Sequence, residues 1–240
     1  MLRFIMSRSR VLFGGLALLI FLAAPVAGQA ETARAPLVQS LAKLAPAANP
    51  DVLKLALDAV GCADASGLGA ARRLAVIDYS RPSTEPRLWV FDLAQRRLLF
   101  EELVAHGKNT GDNHARRFSN KLNSLATSIG LFRTLEPYHG SNGYSLRMEG
   151  LDPGFNDKAK ERAIVIHGAP YVAQSFAETH GRLGRSWGCP AVRQAVAQKL
   201  INVLKDGQYV FSYYPDTRWL ESSPFLNCQS GPSMRLAARD

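Results

Sequence analysis

The sequence predicts a mainly β domain with peripheral helices, of the α+β class, and three observations carry that expectation. From Leu74 onward, short runs rich in β-branched and aromatic residues recur between turn formers: LAVIDY, RLWVFD, RRLLFEELVA, TSIGLFRTL, GYSLRMEGL, RAIVIHG and QYVFSYY. Helical spacing is concentrated in two stretches, DVLKLALDAV near residue 51 and VRQAVAQKLINVLKDG after Val192. With 240 residues and a hydrophobic content of 47%, the chain can bury a substantial core, and its length suits one main globular unit with extensions.

The chain opens on a different pattern. Arg3, Arg8 and Arg10 occur without an acid, fourteen apolar residues follow (VLFGGLALLIFLAA), and small residues run through Ala30. This is the pattern of a secretory signal over residues 1–30, and it places the protein in the periplasm or otherwise outside the cytoplasm, at the cell envelope. An uncleaved anchor is the competing reading; the apolar run is short of the roughly 20 residues a spanning helix needs, so no stable membrane insertion is expected after cleavage. Cleavage after Ala30 would remove three arginines, and the formal charge of +9 would fall by three to +6. A basic exported protein could meet nucleic acid, an anionic membrane or an acidic envelope polymer, but no zinc-finger spacing, RNA-binding signature or dense Lys/Arg helix is present, so no nucleic-acid partner is expected. No pattern in the chain speaks to oligomeric state.

Residues 31–71 read as an N-terminal helical extension. Its Ala/Pro-rich start suggests loose order with a short helix over LVQSLAKL. Asn49 as cap and Pro50 in the first turn begin a firmer helix, with Val52, Leu55, Ala56, Ala59 and Val60 on one stripe. Residues 72–228 hold the main domain and 229–240 a tail. A β-meander starts at Leu74; His106 to Asn120 is polar, contains glycine and lacks periodicity, which reads as a long surface loop. RAIVIHG is a continuous apolar run of the kind buried on both faces, and it delivers His167 at its end. Val192, Val196, Leu200 and Val203 have helical spacing, with Gly207 as the stop.

GRSWGCPAV is the stretch where chemistry is expected. Cys189 lies between a glycine-rich turn and a helix, where outward backbone amides and the positive end of the helix dipole favour a thiolate, and Arg185 and Arg193 add positive potential. Pro190 has no N–H, so an oxyanion would need the amides of Cys189, Gly188 or a neighbouring segment. A thiol nucleophile needs a base, and His167, 22 residues before Cys189, is the best placed by type and context. No carboxylate is evident to orient it; a backbone carbonyl, with Gly168 nearest, can do so instead. The plain alternatives are a cysteine buried as a small hydrophobe and a structural histidine at a strand end.

AIVIHGAPYVAQSF followed by GRLGRSWGCPAV resembles the signature of the murein L,D-transpeptidase catalytic domain family, a histidine in an apolar strand ahead of a [Ser/Thr]-x-Gly-Cys turn. The likeness extends over roughly residues 74–215 through LWVFDLAQRRLLFEELVAHG, FSNKLNSLATSIGLFRT and HGSNGYSLRMEGLDPGFND. It implies a β-sandwich or barrel-like catalytic domain acting on the peptide stems of peptidoglycan without a cofactor. Cys189 would attack a stem carbonyl, expel a D-amino acid and hold the stem as a thioester that a second amine resolves. His167 carries over as general base, Gly168 as its orienting carbonyl, Ser186 as the Ser/Thr of the turn, Gly188 and Cys189 as oxyanion donors, and Tyr144 as a substrate contact. The same thioester resolved by water would give a carboxypeptidase or endopeptidase, and a protein that kept the fold without turnover would only bind murein.

Two departures from the family pattern bear on substrate contacts. Trp187 stands where the commoner branch has a second histidine, and Ala191 stands where it has Arg or Asn, with Arg193 further on. Trp187 could stack on a stem or fill the core. Stem carboxylates suit arginine, so Arg182, Arg185, Arg193 and Arg147 are candidate clamps, although solvent is the usual surrounding of a surface arginine. Three cysteines are an odd number for an oxidising compartment; if the resemblance requires a free Cys189, Cys62 and Cys228 are left as a possible disulfide tying the N-terminal helix to the tail. His106, His114 and His139 with Asp112 match no metal spacing, so solvated loop histidines and no metal are expected.

Overall fold

The computed structural model describes Met1 and residues 26–228. The leader assigned to residues 1–30 therefore lies, up to residue 25, outside the described residues, as does the tail at 229–240. In chain order the elements are α1 (Val26–Leu44), α2 (Pro50–Ala65), β1 (Arg73–Asp78), β2 (Leu88–Asp92), β3 (Arg97–Glu102), β4 (Val104–Ala105), β5 (Gly130–Gly140), β6 (Gly143–Gly150) and β7 (Val165–Ala169), then α3 (Gln174–His180), β8 (Ala191–Arg193), α4 (Gln194–Leu204), β9 (Tyr209–Tyr213) and α5 (Thr217–Ser222).

Among the described residues, the strands form one nine-stranded sheet in the order β3-β2-β1-β9-β5-β6-β7-β8-β4. The two outermost strands, β3 and β4, are consecutive in the chain, ending at Glu102 and starting at Val104. Only Leu103 separates them, so the chain joins the ends of the sheet and gives it a barrel-like form that leaves no long free edge. The mainly β architecture with peripheral helices is thus the observed one.

Strand alternation sorts the apolar side chains onto two faces, both covered. Leu74 and Val76 of β1, Trp89 and Phe91 of β2 and Tyr209 and Phe211 of β9 meet Leu41 of α1, Leu53, Leu57 and Val60 of α2 and Trp219 of α5. The intervening residues Ala75, Ile77, Leu88, Val90 and Val210 meet Phe132, Leu146, Ile166 and the Leu200, Ile201 and Leu204 face of α4. Burial on both faces explains why β1 and β2 read as near-continuous hydrophobic runs.

Asn49 caps α2, its Oδ1 accepting the Asp51 N–H at 2.9 Å, and Pro50 is the first helical residue. Four details differ from the sequence reading. The start is not loose: α1 continues through Leu44 despite Pro36, because Leu41 and Ala45 are buried against the core, and tertiary packing overrides propensity there. The buried stripe of α2 includes Leu53 and Leu57, with Leu55 only partly buried. The helix after Cys189 begins at Gln194, since Val192 belongs to β8, and it buries Ala197, Leu200, Ile201 and Leu204. Helix α3, absent from the sequence reading, is seven residues long and stops at Gly181, left-handed at φ 66°. Cys62 in α2 is joined to Cys228, with a Cα–Cα separation of 6.1 Å.

Candidate active site

Parallel pairing of β7 with β8 sets His167 opposite Ala191, and the His167 amide also donates to the Pro190 carbonyl at 3.4 Å. Cys189 lies two residues before β8, in the bend that leads into it, and packs beside the core face that holds Ile164, Ile166 and Val192. Its sulfur sits beside the start of β7: Val165 N–H donates to Sγ at 3.5 Å, and Sγ donates to the Ala163 carbonyl at 3.7 Å. Among the described residues no hydrogen bond joins Sγ to the His167 ring. Catalytic contacts are often long before substrate is bound, so this resting geometry is that of a thiol parked against backbone.

The turn before Cys189 is held from within and from outside. Ser186 Oγ accepts the Gly188 N–H at 3.1 Å and donates to the Cys189 carbonyl at 2.6 Å. Ser186 N–H donates to the His106 carbonyl, and the Ser186 carbonyl accepts from Lys108 N–H. Gly188 has φ 126°, and a Cβ there would stand 2.8 Å from the Ala126 carbonyl, so glycine is required by both conformation and space. The Gly188 amide donates to Ser186 in this structure, whereas the Cys189 amide has no acceptor among the described residues.

The electrostatics revise the picture of a helix-activated thiolate. Three residues of β8 separate Pro190 from α4, and the dipole effect fades within the first turn. Burial pushes the Cys189 thiol up, opposed by the Val165 amide and the charge of Arg162. Burial likewise pushes His167 down, opposed by its contact with the Gly168 carbonyl. At neutral pH the resting pair is a neutral thiol and a neutral imidazole. Since a carbonyl only accepts, His167 Nδ1, 3.0 Å from the Gly168 oxygen, carries the proton, leaving the Nε2 lone pair open.

A cavity of about 200 Å³ is lined by residues 122–125, Glu161, Arg162, Ala163 and Trp187; neither Cys189 nor His167 lines it, and Ala163, whose carbonyl meets Sγ, links it to the sulfur. Trp187 is 75% exposed at its rim, so it does not fill the core. Asn123, Leu125 and Ala163 all hold left-handed backbone conformations, with φ of 53° to 55°, a concentration of strain in the walls of one cavity.

The other sequence candidates are placed as follows. Arg193 forms a two-pronged ion pair with Glu102, both contacts at 2.7 Å, and Arg185 pairs with Asp112 at 2.7 Å. Arg147 pairs with Glu136 and lies over the Tyr138 ring, and Arg182 donates to its neighbour's carbonyl at Leu183. Tyr144 OH donates to Asn202 of α4, and its ring lies tilted against that of His139. His106 is not a solvated loop residue: it is 1% exposed, Arg87 donates to its Nδ1 at 2.9 Å, and its Nε2–H donates to the Gly111 carbonyl at 3.2 Å. Burial, and then Arg87, push its pKa down to about 4. The site residues that sequence reasoning missed are Arg87 and Arg162, and neither lies in a motif that would have marked it.

The family model of the L,D-transpeptidase catalytic domain matches residues 44–213. Among solved structures, the chain is similar to an L,D-transpeptidase from Mycobacterium smegmatis (14% identity, TM-score 0.38, 60% of each chain covered). It is also similar to one from Mycobacterium tuberculosis H37Rv (15%, 0.36, 60% of this chain and 59% of that) and one from Stackebrandtia nassauensis (15%, 0.36, 74% of this chain and 89% of that). The chain spans about three fifths of the length of the two mycobacterial structures. No curated protein sequence matches it.

Proposed function

Because the chain belongs to the L,D-transpeptidase catalytic domain family, we propose that it is an exported cysteine acyltransferase of peptidoglycan, moving a stem peptide from a thioester on Cys189 to an amine. The observation that carries this reading is the pairing of β7 with β8, which brings the bend carrying a half-buried Cys189 alongside the strand that carries His167, whose imidazole has one nitrogen without a partner among the described residues.

In the proposed reaction the Cys189 proton passes to His167 Nε2 as the sulfur attacks the stem carbonyl, and the Gly168 carbonyl holds the imidazolium through Nδ1–H. The Cys189 amide stabilises the developing oxyanion. Collapse expels the D-amino acid, whose nitrogen takes the proton from Nε2, and leaves the thioester. An acceptor amine then attacks, giving its proton to the same nitrogen, and the thiol is regenerated. Trp187 and the cavity walls would receive the peptide, and the leader at the start of the chain would deliver the enzyme to its substrate. Domain limits of 72–228 for the catalytic unit and 31–71 for its helical extension belong to the same proposal.

Incubation of the purified protein with muropeptides, followed by intact mass of the trapped protein and mass analysis of the products, tests it. A stem adduct on Cys189 with dimers or amine adducts is the expected result. Shortened monomers alone would replace transfer by hydrolysis. An unchanged product profile from Cys189→Ala would remove the thioester, and sedimentation with murein without any turnover would leave a binding protein.

A further inference from the structure

We propose that Arg162 is the group whose positive charge stabilises the Cys189 thiolate, acting on the nucleophile from a fixed position beneath the turn that carries it. The inference rests on the reading of Cys189 as nucleophile and adds to it a positioning residue that the motif does not contain.

Arg162 lies three residues before Val165, where β7 begins, and its two terminal nitrogens are engaged by neutral oxygens. Nη1 donates to the Ser119 carbonyl at 2.6 Å and to Ser128 Oγ at 2.5 Å; Nη2 donates to the Ala126 carbonyl at 2.5 Å and to Ser124 Oγ at 3.1 Å. Among the described residues no carboxylate pairs with it. A Cβ placed on Gly188 would stand 3.3 Å from Nη2, so the cation lies against the residue that precedes the nucleophile. The next residue, Ala163, carries the carbonyl that meets Sγ. Arginine stays protonated at any working pH, and its four fixed acceptors hold the charge without neutralising it.

The other charged and titratable groups around the sulfur leave this role to Arg162. Arg185 and Arg193 flank Cys189 in sequence, but each is paired with a carboxylate at 2.7 Å. Tyr79, Tyr171 and Arg162 couple to the sulfur electrostatically, and burial keeps both phenols protonated, Tyr171 being pushed up to about 12. His167 is neutral at rest. Glu161 lines the same cavity but is exposed, where water screens its charge. Burial penalises the thiolate, and two groups oppose that penalty, the Val165 amide first and then Arg162, the one of the two that carries a charge. The same side chain clamps the segment 119–128, so the shape of the cavity and the reactivity of the sulfur depend on one guanidinium.

Alkylation of Cys189, the free thiol beside the joined Cys62 and Cys228, reads this directly and independently of turnover. The rate with iodoacetamide is followed against pH for the parent, Arg162→Gln and Arg162→Lys, with thermal melting to establish that each is folded. The Gln variant is expected to move the midpoint up by about one pH unit and slow alkylation at pH 7 about tenfold, while Lys, which keeps the charge, stays near the parent. A folded Gln variant with the parent's midpoint, or a folded Lys variant shifted upward, overturns the proposal; a purely structural clamp would lower the melting temperature of both and leave the midpoint alone. On the parent protein itself, anionic iodoacetate should be favoured over iodoacetamide, relative to a small free thiol, at low salt and lose that advantage as salt is added. A ratio at or below that of the small thiol overturns the proposal even if neither variant folds. Should Cys189→Ala leave the muropeptide products unchanged, the transpeptidase reading fails while the alkylation result still decides the part played by Arg162.

Discussion

His106 and His167 flank the same turn and are buried almost equally, 1% and 4% exposed, yet they differ in one nitrogen. Both rings meet a backbone carbonyl, that of Gly111 for His106 and that of Gly168 for His167. Arg87 then occupies the second nitrogen of His106, whereas Nε2 of His167 has no partner among the described residues. A ring with both nitrogens bonded is a fastener, and here it holds the backbone just after β4, where the His106 carbonyl accepts from Ser186. A ring with one nitrogen open is able to move a proton. Burial alone does not separate a structural histidine from a chemical one; the unpaired valence does.

The sharpest test of that contrast is His167→Asn, which keeps a donor for the Gly168 carbonyl and removes the base. It should lower kcat/KM with muropeptides by about 10²–10⁴-fold with little change in melting temperature. His106→Ala should do the reverse: it strips Arg87, itself fully buried, of an acceptor and leaves a void. We expect a loss of about 2–4 kcal/mol, seen as a fall in melting temperature of about 5–15 °C. A His106 variant that melts like the parent, or a His167 variant that retains full turnover, breaks the comparison.

Acid should reveal His106 by itself. Its folded pKa of about 4 lies below the ordinary value of 6.5, so the unfolded chain binds the extra proton between them. The contribution of the neutral ring is fully present above pH 6.5 and is lost as pH falls toward 4, by at most roughly 3 kcal/mol. Denaturant titrations across that window should show the slope in the parent and a flatter profile in His106→Ala. His167 is shifted in the same direction and adds to the slope. The smallest effect belongs to Trp187→Ala: an exposed side chain outside the core should change stability by no more than about 0.5 kcal/mol, while KM for muropeptides rises and kcat holds. A kcat loss with unchanged KM would instead tie Trp187 to the turn's geometry.

Much of the scaffold was legible from local pattern. Asn49 and Pro50 announced α2, the runs at 74–78, 88–92 and 209–213 became β1, β2 and β9, and RAIVIHG became the buried β7, which carries His167 at its middle and runs on to Ala169 rather than ending at the histidine. The candidate site was legible only in its reacting types. Cys189 and His167 stood out by their glycine-rich and apolar settings, but Arg162 sits in an unremarkable polar stretch, KAKERAIV, and its importance comes from lying against Gly188. His106 looked like a loop residue because nothing in HGKNTGDNHARR signals that Arg87, nineteen positions earlier, closes over it. The misplaced helix start after Cys189 has a local cause: Val192 fits the helical stripe equally well, and only its pairing with Gly168 in β7 makes it a strand residue.

The sequence by itself determined which segments extend, which coil, and that one thiol and one imidazole would be delivered by a tight turn and a buried strand. These are consequences of backbone preference and alternation, which act between near neighbours in the chain. Only the tertiary structure decided that β3 and β4 close the sheet through Leu103, that the arginines adjacent to Cys189 are neutralised by Asp112 and Glu102, and that the thiol rests protonated beside a cation 27 residues away. Desolvation and Coulomb energy depend on distance in space and on access of water, and the order of residues along the chain fixes neither.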